Sequence, residues 1–433
     1  MPMEWGWDNA RAFFGIALIF AIAWGLSENK KAFPWKIVLG AIVLQFSFAL
    51  LFFGLPKLFG LQSIFGSGAE PNPVIQTLEN ATRTGTSFVF GYVGDNQAAG
   101  AFMDSNPPPQ FFFQILPIII VVAALSAMLW HWHILRWVTR GFAFIFRKTM
   151  GLGGATSLAV SANVFMGMTE APVLVKPYIK GMTRSELFIL MTTGFATIAG
   201  SVLIIYTTFL EGQLSNPLAT LLTASFIAAP AAVALALTIV PEQHDLAERA
   251  HEPDFEYDST MDAFATGASD GLKIVLNIAT MLIAALALLY IANVLLGMLP
   301  SIGEEKLSIQ RVLGWIFSPL MYMIGIPLSE ATTSGSLMGV KTVLTEFVAF
   351  IELGQLAPED LSERSRMITA HAICGFANFG SIGILIGGLS IIEPQRRTTF
   401  LELAWKTLVA GTLATCLSGA VVGALPAALF FGS

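Results

Sequence analysis

Long apolar runs separated by short polar connections predict eight membrane spans, near residues 11–27, 36–60, 111–137, 186–210, 217–241, 272–298, 367–391 and 402–430. Each is long enough to cross roughly 30 Å of hydrocarbon at about 1.5 Å per residue. The first run follows an acidic, Trp-containing start, MPMEWGWDN, rather than the basic start of a secretory signal, so it reads as a retained helix. Residues 68–108, rich in Gly, Asn, Pro and Thr, read as an outer, partly interfacial connection, and residues 242–262 as a polar cytoplasmic loop.

Two further segments are apolar at both ends and broken in the middle. Residues 150–184 carry Thr169-Glu170-Ala171, and residues 312–345 carry Ser329-Glu330-Ala331. Three residues before each glutamate stands a breaker, Gly167 or Pro327. Each half is too short to span, so each segment predicts a hairpin that enters the membrane, turns and returns. A span opening on Gly-Phe-Ala follows each hairpin: GFATIAGSVLIIY from Gly194 and GFANFGSIGILIGG from Gly375. An odd number of spans lies between the hairpins, so they enter from opposite sides and form an inverted repeat. The predicted fold is an all-α integral membrane protein. Irregular backbone at membrane depth is tolerated only where protein or water surrounds it. The glycines and polar side chains of the two broken spans therefore predict one polar site near the midplane.

Composition agrees. Of 433 residues, 55% are hydrophobic and 12% charged, against roughly 25% charged in soluble domains. The net charge of −6 is not gathered in a tail, and there is no basic stripe for nucleic acid. Cys374 and Cys416 lie in apolar runs as small core residues. The Lys and Arg bias between loops, roughly two to one, favours both termini outside.

Glu170 and Glu330 are acidic residues deep in apolar sequence, at an insertion cost of roughly 2.5–3.5 kcal/mol each. Contact with a substrate or coupling ion explains them, as does a carboxylate satisfied within its own turn. Asn378 and Ser381 lie one helical turn apart and suit a ligand with adjacent hydroxyls, or serve as helix–helix glue. Asn163 and Thr197, with main-chain carbonyls near Met166 and Ile198, offer the neutral oxygens that sodium prefers, or form a polar pair satisfying a turn. His131 and His133 read as an interfacial belt, and His371 as an interior histidine with a proton-linked role as the alternative. The chain has no HExxH, no GxSxG and no phosphate loop.

From about residue 30 onward the chain resembles the concentrative nucleoside transporter family. The resemblance rests on ANVFMGMTEAPVLVKPYI, ELFILMTTGFATIAG, LTEFVAF and CGFANFGSIGILIGGL. It implies eight spans, two oppositely oriented re-entrant hairpins, broken fourth and seventh spans, a homotrimer and an elevator mechanism. It implies that Gly167, Met168, Thr169 and Glu170, with Val202, face the nucleobase. The second tip, Ser329 and Glu330, would join Asn378 and Ser381 around the ribose hydroxyls, with Phe376 lining the pocket. Asn163, Met166, Thr197 and Ile198 match sodium positions. Met168 stands where the family commonly has Gln, and Leu328 and Ser329 also depart from its pattern, so the base subsite should be more apolar. The implied organisation is scaffold over 1–137, a first transport repeat over 138–241, a cytoplasmic loop and scaffold span over 242–311, and a second transport repeat over 312–433. The expected activity is nucleoside import across the inner membrane by symport with sodium or protons, without other cofactor and without enzymatic chemistry. The alternatives are an elevator carrier of another polar solute, such as a modified nucleoside or small carboxylate, and an intramembrane enzyme.

Overall fold

The structure, a computed structural model, describes residues 5–54, 73–94, 111–242, 257–301, 306–426 and 429. The parts of the predicted spans over 55–60 and 427–430 (Leu429 apart), and of the two loops over 68–72, 95–108 and 243–256, lie outside the described residues. Among the described residues every regular element is helical. The helices in chain order are α1 (Trp7–Gly25), α2 (Trp35–Ala49), α3 (Pro73–Phe90), α4 (Ile118–His131), α5 (Ile134–Met150), α6 (Gly154–Asn163), α7 (Ala171–Leu174) and α8 (Lys176–Ile179). They continue as α9 (Arg184–Ala196), α10 (Gly200–Phe209), α11 (Pro217–Ile239), α12 (Thr260–Leu296), α13 (Ile309–Met323) and α14 (Leu328–Val343). The last four are α15 (Glu346–Gln355), α16 (Glu363–Ile373), α17 (Phe379–Ile392) and α18 (Arg397–Ala424).

Helices occupy all eight predicted stretches, and among the described residues six segments are by themselves long and apolar enough to cross a membrane. Their burial separates centre from rim. The span of α11 is 94% buried and that of α12 only 19%. Alanine-rich α11 lets α2, α9 and α18 approach closely. On the rim, Gly267 and Gly271 of α12 press on α4: a Cβ on Gly271 would lie 2.7 Å from the Ile120 Cα.

Three elements differ from the sequence reading. The outer connection contains a regular helix, α3. The third apolar run ends at His131, because His133 adopts a left-handed conformation (φ 65°) and starts the separate amphipathic α5. The sixth helix begins twelve residues early, since Ser259 caps it by accepting the Asp262 N–H. The unit boundaries drawn at 137 and 311 fall inside α5 and α13.

Both Gly-Phe-Ala spans are interrupted as expected. Helix α9 stops at Ala196, Thr197 is extended, and α10 starts at Gly200. Helix α16 stops at Ile373 and α17 starts at Phe379, with Asn378 as its N-cap. The first hairpin is α6, the tip Val164–Glu170, and α7 with α8.

The second hairpin is not where the sequence placed it. The chain does turn at Gly325 (φ 108°) and Pro327, between α13 and α14. Arg11 donates to the carbonyls of Tyr322 (2.7 Å) and Ile326 (2.8 Å), and Arg364 donates to that of Gly325 (2.6 Å). Those arginines lie near the N-terminal ends of α1 and α16, so this turn is pinned at one end of the bundle. The chain turns again at Leu344–Thr345, where α14 passes into α15, and it is this turn that reaches inside.

Candidate functional site

The two tips and the two breaks enclose a cavity of about 180 Å³. The first hairpin contributes Gly167, Met168, Thr169 and Glu170, and α10 with its approach contributes Ala199, Val202 and Tyr206. The second tip supplies Thr345, Glu346 and Phe347, and the second break supplies Phe376, Asn378 and Ser381. Helix α12 closes one wall with Ile274, Asn277, Ile278 and Leu282.

Glu346 organises the polar side. Its Oε1 accepts from the Tyr206 hydroxyl and its Oε2 from Asn378 Nδ2, both at 3.0 Å. Asn378 also accepts the Ser381 N–H through Oδ1 (2.8 Å), so one amide caps α17 and orients the carboxylate. The carboxylate keeps lone-pair capacity for a further donor. Across the cavity, Glu170 Oε2 accepts the Gly167 N–H at 3.1 Å, which satisfies its own turn. Each tip meets the opposite broken helix: Thr169 of the first tip abuts Gly388 of α17, while Glu346 of the second tip holds Tyr206 of α10.

The cavity thus gathers Gly167, Met168, Thr169, Glu170, Val202, Phe376, Asn378 and Ser381, and leaves out Ser329 and Glu330. This corrects the expected meeting of Glu170 with Glu330. Glu330 sits at the exposed end of α14, where its Oε2 accepts the Ser362 N–H (3.2 Å) and hydroxyl (3.0 Å). Sixteen residues of α14 separate the two ends by about 24 Å at the α-helical rise. The sequence held a signal for the true tip: Thr345 caps α15 by accepting the Val348 N–H, and Glu346 opens the apolar run in LTEFVAF. Tyr206 and Asn277 gave none, since neither stands at a break or turn of its helix.

Behind the first tip, beside Met168 and Gly194, lies a second polar group. Asn163 is wholly buried, and neither its Nδ2 nor its Oδ1 has a hydrogen-bond partner. Its Oδ1 lies 3.6 Å from where a Cβ on Gly194 would stand. Thr197 donates to the Thr193 carbonyl (2.9 Å), which leaves its oxygen lone pairs for a cation. The Phe165 carbonyl is taken by the Gly200 N–H (2.9 Å) and that of Val164 by the Ser225 hydroxyl (3.0 Å). An amide, a hydroxyl and the main chain at Met166 and Ile198 offer hard, neutral oxygens, which fit sodium. No group of three or more His, Cys, Asp or Glu arranged for a metal occurs among the described residues. His371 is buried beside Phe53 with Nδ1 on the Met367 carbonyl (2.8 Å), and it does not line the cavity.

Three family models cover most of the chain. They are the N-terminal part of the Na+ dependent nucleoside transporters over residues 14–93, nucleoside recognition over 112–213, and the C-terminal part of the same transporters over 220–423. The Helicobacter pylori nucleoside permease NupC is 34% identical over 94% of this chain and 96% of its own. The chain belongs to the concentrative nucleoside transporter family. A Haemophilus influenzae protein described as an uncharacterized transporter is 36% identical over 95% of this chain and 96% of its own. The rat sodium/nucleoside cotransporter 1 is 32% identical over 96% of this chain and 63% of its own. The fold superposes on CNTnw in an inward-facing, substrate-bound state with a TM-score of 0.84, at 35% identity over 96% of this chain and 98% of that one. It matches a variant of CNTnw in an outward-facing state equally well, TM-score 0.84 at 33% identity over 97% and 98%. As a member of this transporter family the chain is a multi-pass inner-membrane protein and not an enzyme.

Proposed function

We propose that this transporter imports nucleosides by symport, with sodium as the coupling ion, through an elevator movement of the two repeats against α4 and α12. The observation that carries the reading is the Glu346–Asn378 pair inside the cavity. An oriented carboxylate beside an amide and the Ser381 hydroxyl is the arrangement that accepts the adjacent hydroxyls of a ribose. Phe376 and Val202 offer apolar contact to a base, with Thr169 and Glu170 as its polar partners. Met168 makes that subsite less able to bond a base edge, so base preference rests on shape and on those two residues. Two carboxylates facing the ligand disfavour a carboxylate solute.

Asn163, Met166, Thr197 and Ile198 would hold the sodium ion. Its place at the first tip explains the coupling. An ion that joins Asn163 to the break at Thr197 also fixes Gly167–Glu170, which the nucleoside needs in place, so each ligand lowers the cost of ordering the site for the other. Sodium is preferred to the proton because Asn163 is unpartnered while His371 lies off the cavity.

The re-entrant reading of both hairpins is supported by the second. Its arms start near Glu330 and end at Leu356, which approach the start of α16 through bonds to Ser362 and Arg366. The elevator reading draws on the sparse burial of α12, and a homotrimer around α4 and α12 would cover part of its apolar face. Uptake of a nucleoside panel into proteoliposomes, with sodium and proton gradients imposed separately, tests the proposal. Accumulation of unchanged nucleoside under an inward sodium gradient is expected. Accumulation only under a proton gradient would overturn sodium coupling, and none under either gradient would overturn the function.

A further inference from the structure

Lys341 is wholly buried in the last turn of α14, three residues short of the tip that carries Glu346. An ionisable side chain at such depth asks for a role and a partner. Its Nζ donates to the Thr415 hydroxyl of α18 at 3.3 Å. Thr415 in turn wedges into the second break: a Cβ on Gly375 would lie 2.7 Å from Thr415 Cγ2 and 2.8 Å from the carbonyl oxygens of Phe195 and Ala196. Those carbonyls end α9, so the two broken helices cross at the point that Thr415 and Lys341 back. Lys341 and Glu346 flank the Leu344–Thr345 turn, one in the last turn of α14 and the other at the first position of α15. A cation in the last turn also complements the C-terminal dipole of α14. Lys341 is absent from the cavity lining, so it does not contact a ligand there.

The first repeat differs at the same place. Its arm α6 ends on Asn163, whose amide is buried without partners against Gly194, the glycine of the first Gly-Phe-Ala. The first repeat ends its arm on a buried neutral amide, and the second carries an ammonium group behind its tip and break. We propose that Lys341 is a tethered cation: a positioning residue that holds Glu346 and the break between α16 and α17 ready for the ligand, as a bound ion would serve the first repeat. The inference rests on reading the cavity as the nucleoside site. It adds a residue that acts through Glu346 rather than on the substrate.

The test is a double-mutant cycle on the purified full-length transporter, with uridine and 2′,3′-dideoxyuridine as probes. Lys341→Met keeps the length of the side chain and removes its charge. It is expected to weaken uridine at least tenfold and dideoxyuridine less than threefold, because the loss passes through the ribose hydroxyls. Adding Lys341→Met to Glu346→Gln is expected to cost less than a further threefold. If Lys341→Met does not fold, Thr415→Val, which frees the ammonium, carries the test with a smaller loss of the same ribose dependence. Native uridine affinity in the folded variant, equal losses for both probes, or full additivity with Glu346→Gln would each overturn the inference while leaving the function standing. Failure of the unmodified protein to bind any nucleoside would instead remove the function on which it rests.

Discussion

Asn378 donates to Glu346 across 32 residues of chain, at 3.0 Å inside the cavity. The bond joins the break of one helix to the tip of a hairpin, so neither element can shift without disturbing the other. Tyr206 brings the first repeat into the same group through the other carboxylate oxygen. A ligand bound there reports on the arrangement of both repeats at once.

Glu330 is expected to be dispensable for transport. Glu330→Gln weakens two hydrogen bonds to Ser362 at the end of α14, a loss of about 0.5–1.5 kcal/mol of stability. Thermal unfolding in detergent should drop slightly, while nucleoside affinity stays within twofold. A large loss of affinity would return Glu330 to the site.

Gly375 permits the crossing of the two broken helices. Gly375→Ala must displace Thr415 or the carbonyls of Phe195 and Ala196, at about 1–3 kcal/mol. A Cβ on Gly383 meets nothing within 4 Å, so Gly383→Ala gains helix propensity, up to about 1 kcal/mol. Parallel unfolding curves for the two variants check the contrast. Equal stability would mean that the crossing is looser than described.

Sodium dependence should reside in Asn163. Asn163→Leu replaces the buried, unpartnered amide with hydrocarbon. Uptake should lose its response to the sodium gradient, and binding should become insensitive to sodium. A variant still stimulated by sodium would place the ion elsewhere.

Charge at one end of the bundle gives a pH dependence of stability. Glu28 receives Lys406 Nζ at 2.6 Å and Arg184 Nη2 at 3.2 Å, and Arg184 also reaches Glu402 at 2.7 Å. Burial pushes the Glu28 carboxyl up, but the bonds and charges of Lys406 and Arg184 outweigh it and hold it below its ordinary value of 4.5. A lowered carboxyl stabilises the folded state above its unfolded pKa, and that contribution is lost as pH falls through the folded value. The group is partly exposed, so the effect is about 0.2–1 kcal/mol. Unfolding temperatures of the unmodified protein and Glu28→Gln should differ at pH 7 and converge once pH falls below the lowered value of the carboxyl. A difference that persists in acid would contradict the assignment.

The broken spans were legible because Gly-Phe-Ala with a following amide or hydroxyl cannot be an ordinary lipid-facing helix. The first tip was legible too, since Gly167 and Glu170 belong to one turn. The second was misread at Glu330 because Gly325 and Pro327 are strong breakers, whereas the true tip at Thr345 breaks the chain with a cap alone. A proline shows that a chain turns, not how deep the turn lies. Depth here was decided by Arg11 and Arg364, from distant helices, holding the Gly325 turn at the end of the bundle. The partnership of Tyr206 with Glu346, 140 residues apart, likewise exists only after folding.

The most direct test of the nucleoside site is calorimetric titration of uridine and its 2′,3′-dideoxy analogue into the unmodified transporter and Glu346→Gln. Charge-assisted bonds to the ribose hydroxyls, about 1.5–3 kcal/mol, predict roughly a 10- to 100-fold preference for uridine that disappears in the variant. A folded Glu346→Gln protein that still binds uridine with full affinity and preference would contradict the account.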